Sequence, residues 1–248
     1  MNLLLTNDDG IASEGLRALA CVLFEKGHTV TVVAPEENNS AVSHKLTLKN
    51  ALSLRKADYR NGICAYALSG TPADCTLFSL KGLKISPDCI ISGVNEGMNL
   101  GSDCIYSGTV AAAVEGALNG VPSIAISAFC VFSSWNFGGE DFNKCARIAA
   151  ERLNDWFLLA KDTRGGLNVN IPVDREIAGE RLCKLARSEY RSEYERLQDG
   201  TYRRKWAEPK HQTEKDCDEY LILQGYITLS PLSADMNDYG YWAKRGSM

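Results

Sequence analysis

The chain has 248 residues, 45% of them hydrophobic and 23% charged, the make-up of a globular protein with ample core for one large domain or two modest ones. Its formal net charge of -4 gives no general attraction to polyanions, so duplex DNA or RNA is excluded as an expected partner and any phosphate recognition has to be local. No basic segment precedes the first apolar run and no apolar stretch is long enough to span a bilayer, which predicts a cytoplasmic protein with no membrane contact.

The chain opens with Asn2-Leu3-Leu4-Leu5-Thr6, an apolar run of strand length, and stops in Asn7-Asp8-Asp9-Gly10. Leu16, Leu19, Ala20 and Leu23 then recur at helical spacing, and Lys26-Gly27 ends that helix. Thr29 to Ala34 is a second strand, stopped by Pro35. Weak alternation between Leu46 and Leu68 around Asn61-Gly62 predicts a hairpin, so part of the sheet is antiparallel. Thr71-Pro72-Ala73-Asp74 begins the next helix with a capping threonine, a proline in the first turn and an acid three residues after the cap. Capping accounts for Asp74 fully, and it is left out of the catalytic set.

Asp88 to Ser92 and Pro122 to Ser127 are further buried strands, separated by the segment richest in glycine. Beyond about Phe129, Asp141 to Leu159 reads as a helix, Gly166 to Pro172 as a strand and Tyr220 to Leu229 as a late strand. Arg181 to Asp216 is crowded with interleaved charge and aromatics, including the short echo Ser188-Glu189-Tyr190-Arg191 and Ser192-Glu193-Tyr194-Glu195. It reads as a solvated or subunit-contacting arm, as does Tyr239 to Trp242. The alternation of strands and helices predicts a Rossmann-like three-layer α/β fold with a mostly parallel sheet. Residues 1–130 form its catalytic core, and residues 131–248 complete it and supply an oligomerisation arm over about 181–248. Nine cysteines, an odd number with no C-x-x-C pair, read as reduced and largely buried thiols.

Three loops after strands gather small polar groups: Asn7 to Gly10, Glu36 to His44, and Ser92 to Gly101 running on to Ser107-Gly108-Thr109. In a parallel sheet such loops converge on one face. Adjacent Asp8 and Asp9 repel each other and lose hydration there, a cost offset by an oxygen-seeking divalent cation; the competing reading is a turn in which they cap the next helix. Gly93, Gly97 and Gly101 allow close backbone approach, with Asn95 and Asn99 offering amide groups. This is not the G-x-G-x-x-G fingerprint, so dinucleotide binding ranks low. Ser107-Gly108-Thr109 introduces the small-residue run Val110 to Leu118, a helix start able to hold an anion or simply to be capped by Ser107.

These residues carry a resemblance. Leu4 to Ile11, Val32-Val33-Ala34-Pro35, Ser40 with Val42-Ser43-His44, Ser69 to Cys75, Ser92-Gly93-Val94-Asn95, Asn99-Leu100-Gly101, Tyr106 to Thr109 and Leu167 to Pro172 all resemble the SurE family, acid phosphatases acting as 5'- and 3'-nucleotidases. The similarity is dense to about Ser127 and resumes at Gly225-Tyr226-Ile227 and Ser230-Pro231-Leu232. It implies a phosphomonoesterase acting on nucleoside monophosphates, with one Mg²⁺ or Mn²⁺ ion per subunit held by Asp8, Asp9, Ser40 and Asn95, and a homodimer or homotetramer that exchanges segments. Asp8, Asp9 and Asn95 are then the catalytic set, and Asn7, Ser43, Asn99, Ser107, Gly108 and Thr109 the substrate-binding set. Ser40 enters on the resemblance alone.

Asn39, Ala41, Glu96 and Ala12-Ser13-Glu14 depart from the family pattern in the neighbourhood of the site. They bear on substrate preference and leave every implied ligand in place. The expected mechanism is in-line attack by metal-activated water, with direct attack by Asp8 or Asp9 as its chemical alternative. The competing functions are a nucleotide-binding sensor without turnover and, more remotely, a sugar-nucleotide transferase.

Overall fold

The structure is a computed structural model and describes residues 1–60, 62–130, 138–187, 192–206 and 214–237. In chain order the elements are β1 (Asn2–Thr6), α1 (Glu14–Glu25), β2 (Thr29–Pro35), β3 (Leu54–Lys56), β4 (Cys64–Leu68), α2 (Pro72–Lys81) and β5 (Cys89–Glu96). A short 3₁₀ turn (Gly101–Ile105) leads into α3 (Gly108–Leu118), β6 (Ser123–Phe129), α4 (Gly139–Lys161), β7 (Leu167–Pro172) and β8 (Gly179–Leu182). The last elements are β9 (Ser192–Arg196), β10 (Tyr202–Trp206), α5 (Asp218–Leu223) and β11 (Tyr226–Pro231).

Nine strands form one sheet in the order β3-β4-β2-β1-β5-β6-β7-β11-β8, and β9 and β10 make a separate antiparallel hairpin. From β4 through β7 all neighbours are parallel; β3 and β11 run against their partners β4 and β7, while β8 is parallel to β11. The sheet is therefore mostly parallel, as the alternating pattern predicts, and β7, β11 and β8 extend it past residue 131. Continuous apolar strands such as Leu3-Leu4-Leu5 suit a sheet covered on both faces. Leu3 and Leu5 pack with Leu16, Leu19, Leu153 and Trp156 of α1 and α4, whereas Leu4 faces Cys75 of α2 and its neighbours. Ala125 of β6 meets Val110 and Ala113 of α3, so α3 lies on the α2 face. Each of the three leucines is fully buried, worth roughly 1.5–3 kcal/mol apiece relative to exposure.

Several expectations are revised. The segment from Ser92 is not loop throughout, because β5 continues to Glu96 across an irregularity between Ser92 and Asn95, and Asn95 pairs with Ser127 of β6. Gly93 makes that passage possible: its φ is +136°, and a Cβ there would lie 2.2 Å from the Ile126 carbonyl oxygen. The late strand begins only at Tyr226. Asp218–Leu223 is a helix, with two acids in its first turn and Gly225 turning the chain at φ +86°. The apolar run there is too short for its period to separate helix from strand. The predicted hairpin exists between β3 and β4, but its connection is longer than two residues; Asn61 lies outside the described residues, as do Ser188 to Arg191 of the echo and Tyr239 to Trp242.

The start of α2 follows the sequence reading. The Thr71 hydroxyl accepts from the Asp74 N–H at 3.2 Å, and the Asp74 carboxylate accepts from the Thr71 N–H at 2.9 Å. Asp74 also accepts from the Thr47 N–H and hydroxyl, at 3.0 and 2.7 Å, which ties the long loop after β2 to α2. Burial acts to raise the Asp74 pKa, but these hydrogen bonds outweigh it and hold the carboxyl below its ordinary value. A carboxylate lowered in the folded state stabilises the protein above its unfolded pKa, near 3.8, and that stability is lost as pH falls below it. Asp74→Asn is expected to flatten the loss of stability on the acid side, measured as urea midpoints between about pH 2 and pH 6. Thr71→Ala is expected to cost about 1 kcal/mol at neutral pH in the same assay.

Candidate active site

All strands from β4 to β7 end on the same edge of the sheet, and the polar loops gather there. Asp8 and Asp9 follow β1 directly. Gly10, at φ +98°, turns the chain against the Glu37 backbone, where a Cβ would lie 3.2 Å from the carbonyl carbon. Asn7 sits wholly inside this turn: its side-chain NH₂ donates to the Gly10 carbonyl at 3.1 Å and the Ser13 hydroxyl at 2.6 Å, and its oxygen accepts from the Gly10 N–H at 3.2 Å. The structure thus places Asn7 as the brace of the Asp-Asp turn.

Asp8 is buried and docks on the start of α3. The Thr109 hydroxyl donates to Asp8 Oδ1, and the backbone N–H groups of Gly108 and Thr109 face the same carboxylate. The approach is close: a Cβ on Gly108 would lie 2.8 Å from Asp8 Cβ and 3.1 Å from Pro72 Cγ. Burial pushes the Asp8 carboxyl up against the lowering effect of these donors. Asp9 accepts from the Glu96 N–H at 3.1 Å and from the Asn38 side chain at 3.5 Å. Burial first, then the charges of Asp8 and Glu96, raises its pKa to about 7.

The remaining predicted residues fall around this pair. Asn95 Oδ1 lies 3.3 Å from the Thr109 hydroxyl, and its NH₂ donates to the Gly97 carbonyl at 2.7 Å. Because the single Thr109 proton goes to Asp8, Asn95 Oδ1 keeps an acceptor lone pair on the side of the carboxylates. Ser40 is exposed and reaches the pair through Asn38: its hydroxyl and N–H donate to Asn38 Oδ1 at 2.6 and 2.8 Å, while the Asn38 NH₂ turns to Asp9. The Ser107 hydroxyl caps α3 by accepting from the Val110 N–H at 3.1 Å. Ser43 is an anchor, its N–H donating to the Tyr106 carbonyl at 2.9 Å and its hydroxyl to the Ile105 carbonyl at 2.7 Å. Asn99 is buried, donating through its side chain to Ser127 Oγ and through its backbone to Asn170 Oδ1.

Supporting residues emerge that the sequence reading did not single out. Asn38 bridges Asp9 and Ser40. His44 meets Glu115 of α3 at 2.8 Å, fastening the Ser40 loop to the helix that carries Thr109. Asn168 and Asn170 donate to the Asn99 carbonyl at 2.8 and 3.0 Å, fixing the loop after β5. A sequence signal for the last two existed: asparagines at alternate positions of an otherwise apolar strand place two polar groups on one face of a buried β7.

Two adjacent carboxylates lie at the centre, and among the described residues no lysine, arginine or histidine forms an ion pair with either. The nearby side chains contribute oxygen, from an amide and hydroxyls, and no thiol or imidazole takes part. A carboxylate pair, Asp8 buried and Asp9 half-buried, with no basic ion-pair partner among the described residues and with oxygen donors around it, fits a divalent ion of the magnesium or manganese type. Among the described residues no cluster of three or more His, Cys, Asp or Glu is arranged to hold a metal, so only a mixed set of carboxylate, amide and hydroxyl oxygens is available for one.

Comparison with known proteins agrees with the fold. The family model described as Survival protein SurE matches residues 3–192. A protein named 5'-nucleotidase SurE from Clostridium beijerinckii is 39% identical, with 96% of this chain and 95% of that protein covered. Another of the same name, from Thermosipho melanesiensis, is 38% identical over 97% of this chain and 94% of its own length. The crystal structure of the SurE protein from Aquifex aeolicus superposes with a TM-score of 0.81 at 34% identity, covering 98% of both chains. By sequence across nearly its whole length, and by fold, the chain belongs to the SurE family.

Proposed function

We propose that the protein is a metal-dependent phosphomonoesterase that hydrolyses nucleoside 5'- and 3'-monophosphates to nucleoside and phosphate. The observation that carries this reading is the Asp8–Asp9 pair at the carboxyl edge of the sheet, with no basic ion-pair partner among the described residues and with Asp8 docked on the start of α3. Relatives named 5'-nucleotidase SurE, matching over nearly the whole chain, support the choice of a nucleoside monophosphate as substrate.

Asp8, Asp9, Asn95 and Ser40 would hold one Mg²⁺ or Mn²⁺ ion per subunit. When bound, such an ion supplies Lewis-acid polarisation of the phosphoryl oxygens and a more acidic water as nucleophile. The protein's own contribution is preorganisation. Thr109 and the first amides of α3 orient the Asp8 carboxylate and oppose the effect of burial, which raises its pKa. The positive end of α3 at Ser107 to Thr109 lies beside the place where phosphoryl charge builds up. Asn38 and Glu96 orient Asp9, while Asn7 keeps the turn from opening.

Direct attack by Asp8 fits this geometry less well, because the Thr109 hydroxyl donates to Asp8 Oδ1 and the first amides of α3 face the same carboxylate, which lowers its nucleophilicity. Residues 181–248 are read as an arm for a homodimer or homotetramer. The β9–β10 hairpin supports that role by leaving Tyr194 and Tyr202 65% exposed each.

Purified protein is expected to release phosphate from AMP in the presence of Mn²⁺, and chelation is expected to abolish the release. Asp8→Asn should lower kcat/KM by about two to three orders of magnitude. Tight AMP binding with no release in any divalent metal would favour the sensor reading, and a trapped phosphoenzyme would overturn attack by water. Thr109→Val and Gly108→Ala leave all four proposed ligands in place but disturb the seat of Asp8. Each should weaken Mn²⁺ affinity by about 10- to 100-fold, measured calorimetrically, and Thr109→Ser should restore most of the loss.

A further inference from the structure

A cleft of about 360 Å³ opens beside Asp9 and is lined by Asp9, Ser13, Glu14, Asn38, Glu96 and Phe142. It lies toward α1 and α4, which cover the sheet face opposite α3. The proposed centre therefore has two unlike flanks: the start of α3, electropositive and backbone-rich, and this cleft. Among the described residues no lysine or arginine lines the cleft. Glu14 and Glu96 are exposed and form no ion pair with any described residue. The Glu96 backbone N–H donates to Asp9 at 3.1 Å, which fixes the rim of the cleft at the carboxylate pair.

In the proposed reaction the charge of the transferring phosphoryl group would be met by the cation held at Asp8 and Asp9 and by the start of α3. The rest of the substrate has to extend away from that group, and on the α1 side it meets carboxylates. Hydroxyl and amine donors on a neutral leaving group satisfy carboxylate oxygens, whereas a second phosphate is repelled by Glu14 and Glu96, with no lysine or arginine among the described lining residues to neutralise it.

Resting on the phosphomonoesterase reading, we propose that this cleft receives the leaving group, and that Glu14 and Glu96 select neutral, hydroxyl-bearing alcohols such as nucleosides while rejecting substrates that carry a further phosphate. Glu14 and Glu96 are thus specificity-determining residues, and the discrimination is electrostatic. It weakens as salt screens exposed charges.

The test compares AMP with ADP at saturating Mn²⁺, using the full-length protein and its Glu14→Gln, Glu96→Gln and doubly substituted variants at low and high ionic strength. The ratio of kcat/KM for ADP to that for AMP should rise about tenfold in the double variant. In the unsubstituted protein the same ratio should rise with salt. An unchanged ratio in the double variant overturns the proposal. Calorimetric affinities for the two nucleotides give a readout independent of turnover. If no substrate is hydrolysed, the phosphatase reading fails by itself, and the cleft is still judged by whether the ADP-to-AMP affinity ratio shifts in the double variant or stays fixed.

Discussion

The site depends on one contact, the docking of the Asp8 carboxylate on the first turn of α3. Residues 101 apart in sequence meet there, joining the end of β1 to α3 on one face of the sheet. The contact requires glycine at 108, since any Cβ at that position would intrude on Asp8 and Pro72. It also requires a hydroxyl at 109, buried and aimed at the carboxylate. A helix start usually offers its unpaired N–H groups to a ligand or a cap. Here part of that capacity holds a protein carboxylate in place, and in the proposed mechanism the same electropositive end of α3 also faces the phosphoryl group.

Around that contact the loops are fastened rather than free. The long segment after β2 has no regular structure until β3, yet Ser43 bonds to the carbonyls before α3, His44 pairs with Glu115, and Thr47 bonds to Asp74. The loop after β5 is held from below by Asn168 and Asn170. These ties convert three segments far apart in sequence into one surface of defined geometry, which metal ligation and phosphoryl transfer both demand. They also account for the burial of Asn7 and Asn99: these asparagines shape the loops from inside.

Much of this was legible in the sequence, for identifiable reasons. Strands buried on both faces carry unbroken apolar runs, so β1, β2, β5 and β6 stand out, and α2 announces its start through Thr71, Pro72 and Asp74. Adjacent carboxylates at a strand end, Asp8 and Asp9, are chemically conspicuous without any comparison. The short elements were not legible: β8 reads Gly-Glu-Arg-Leu with no period, and α5 shares a brief apolar run with β11. Nor was the distinction between groups that face the site and groups that brace it, because that depends on long-range contacts. Ser107, Asn7 and Asn99 look alike as small polar residues in loops, and only their hydrogen-bond partners separate a cap, a turn brace and a loop anchor. Ser40 carries no signal of its own and enters through family resemblance; the structure adds Asn38 as its link to Asp9.

The most direct measurement is a crystal structure of the manganese-soaked protein with an anomalous difference map. One peak per subunit is predicted, within about 2.0–2.6 Å of oxygens from Asp8 and Asp9, with Asn95 and Ser40 turned toward it. A peak elsewhere, or none beside these carboxylates at saturating manganese, contradicts the metal centre on which the proposed chemistry depends.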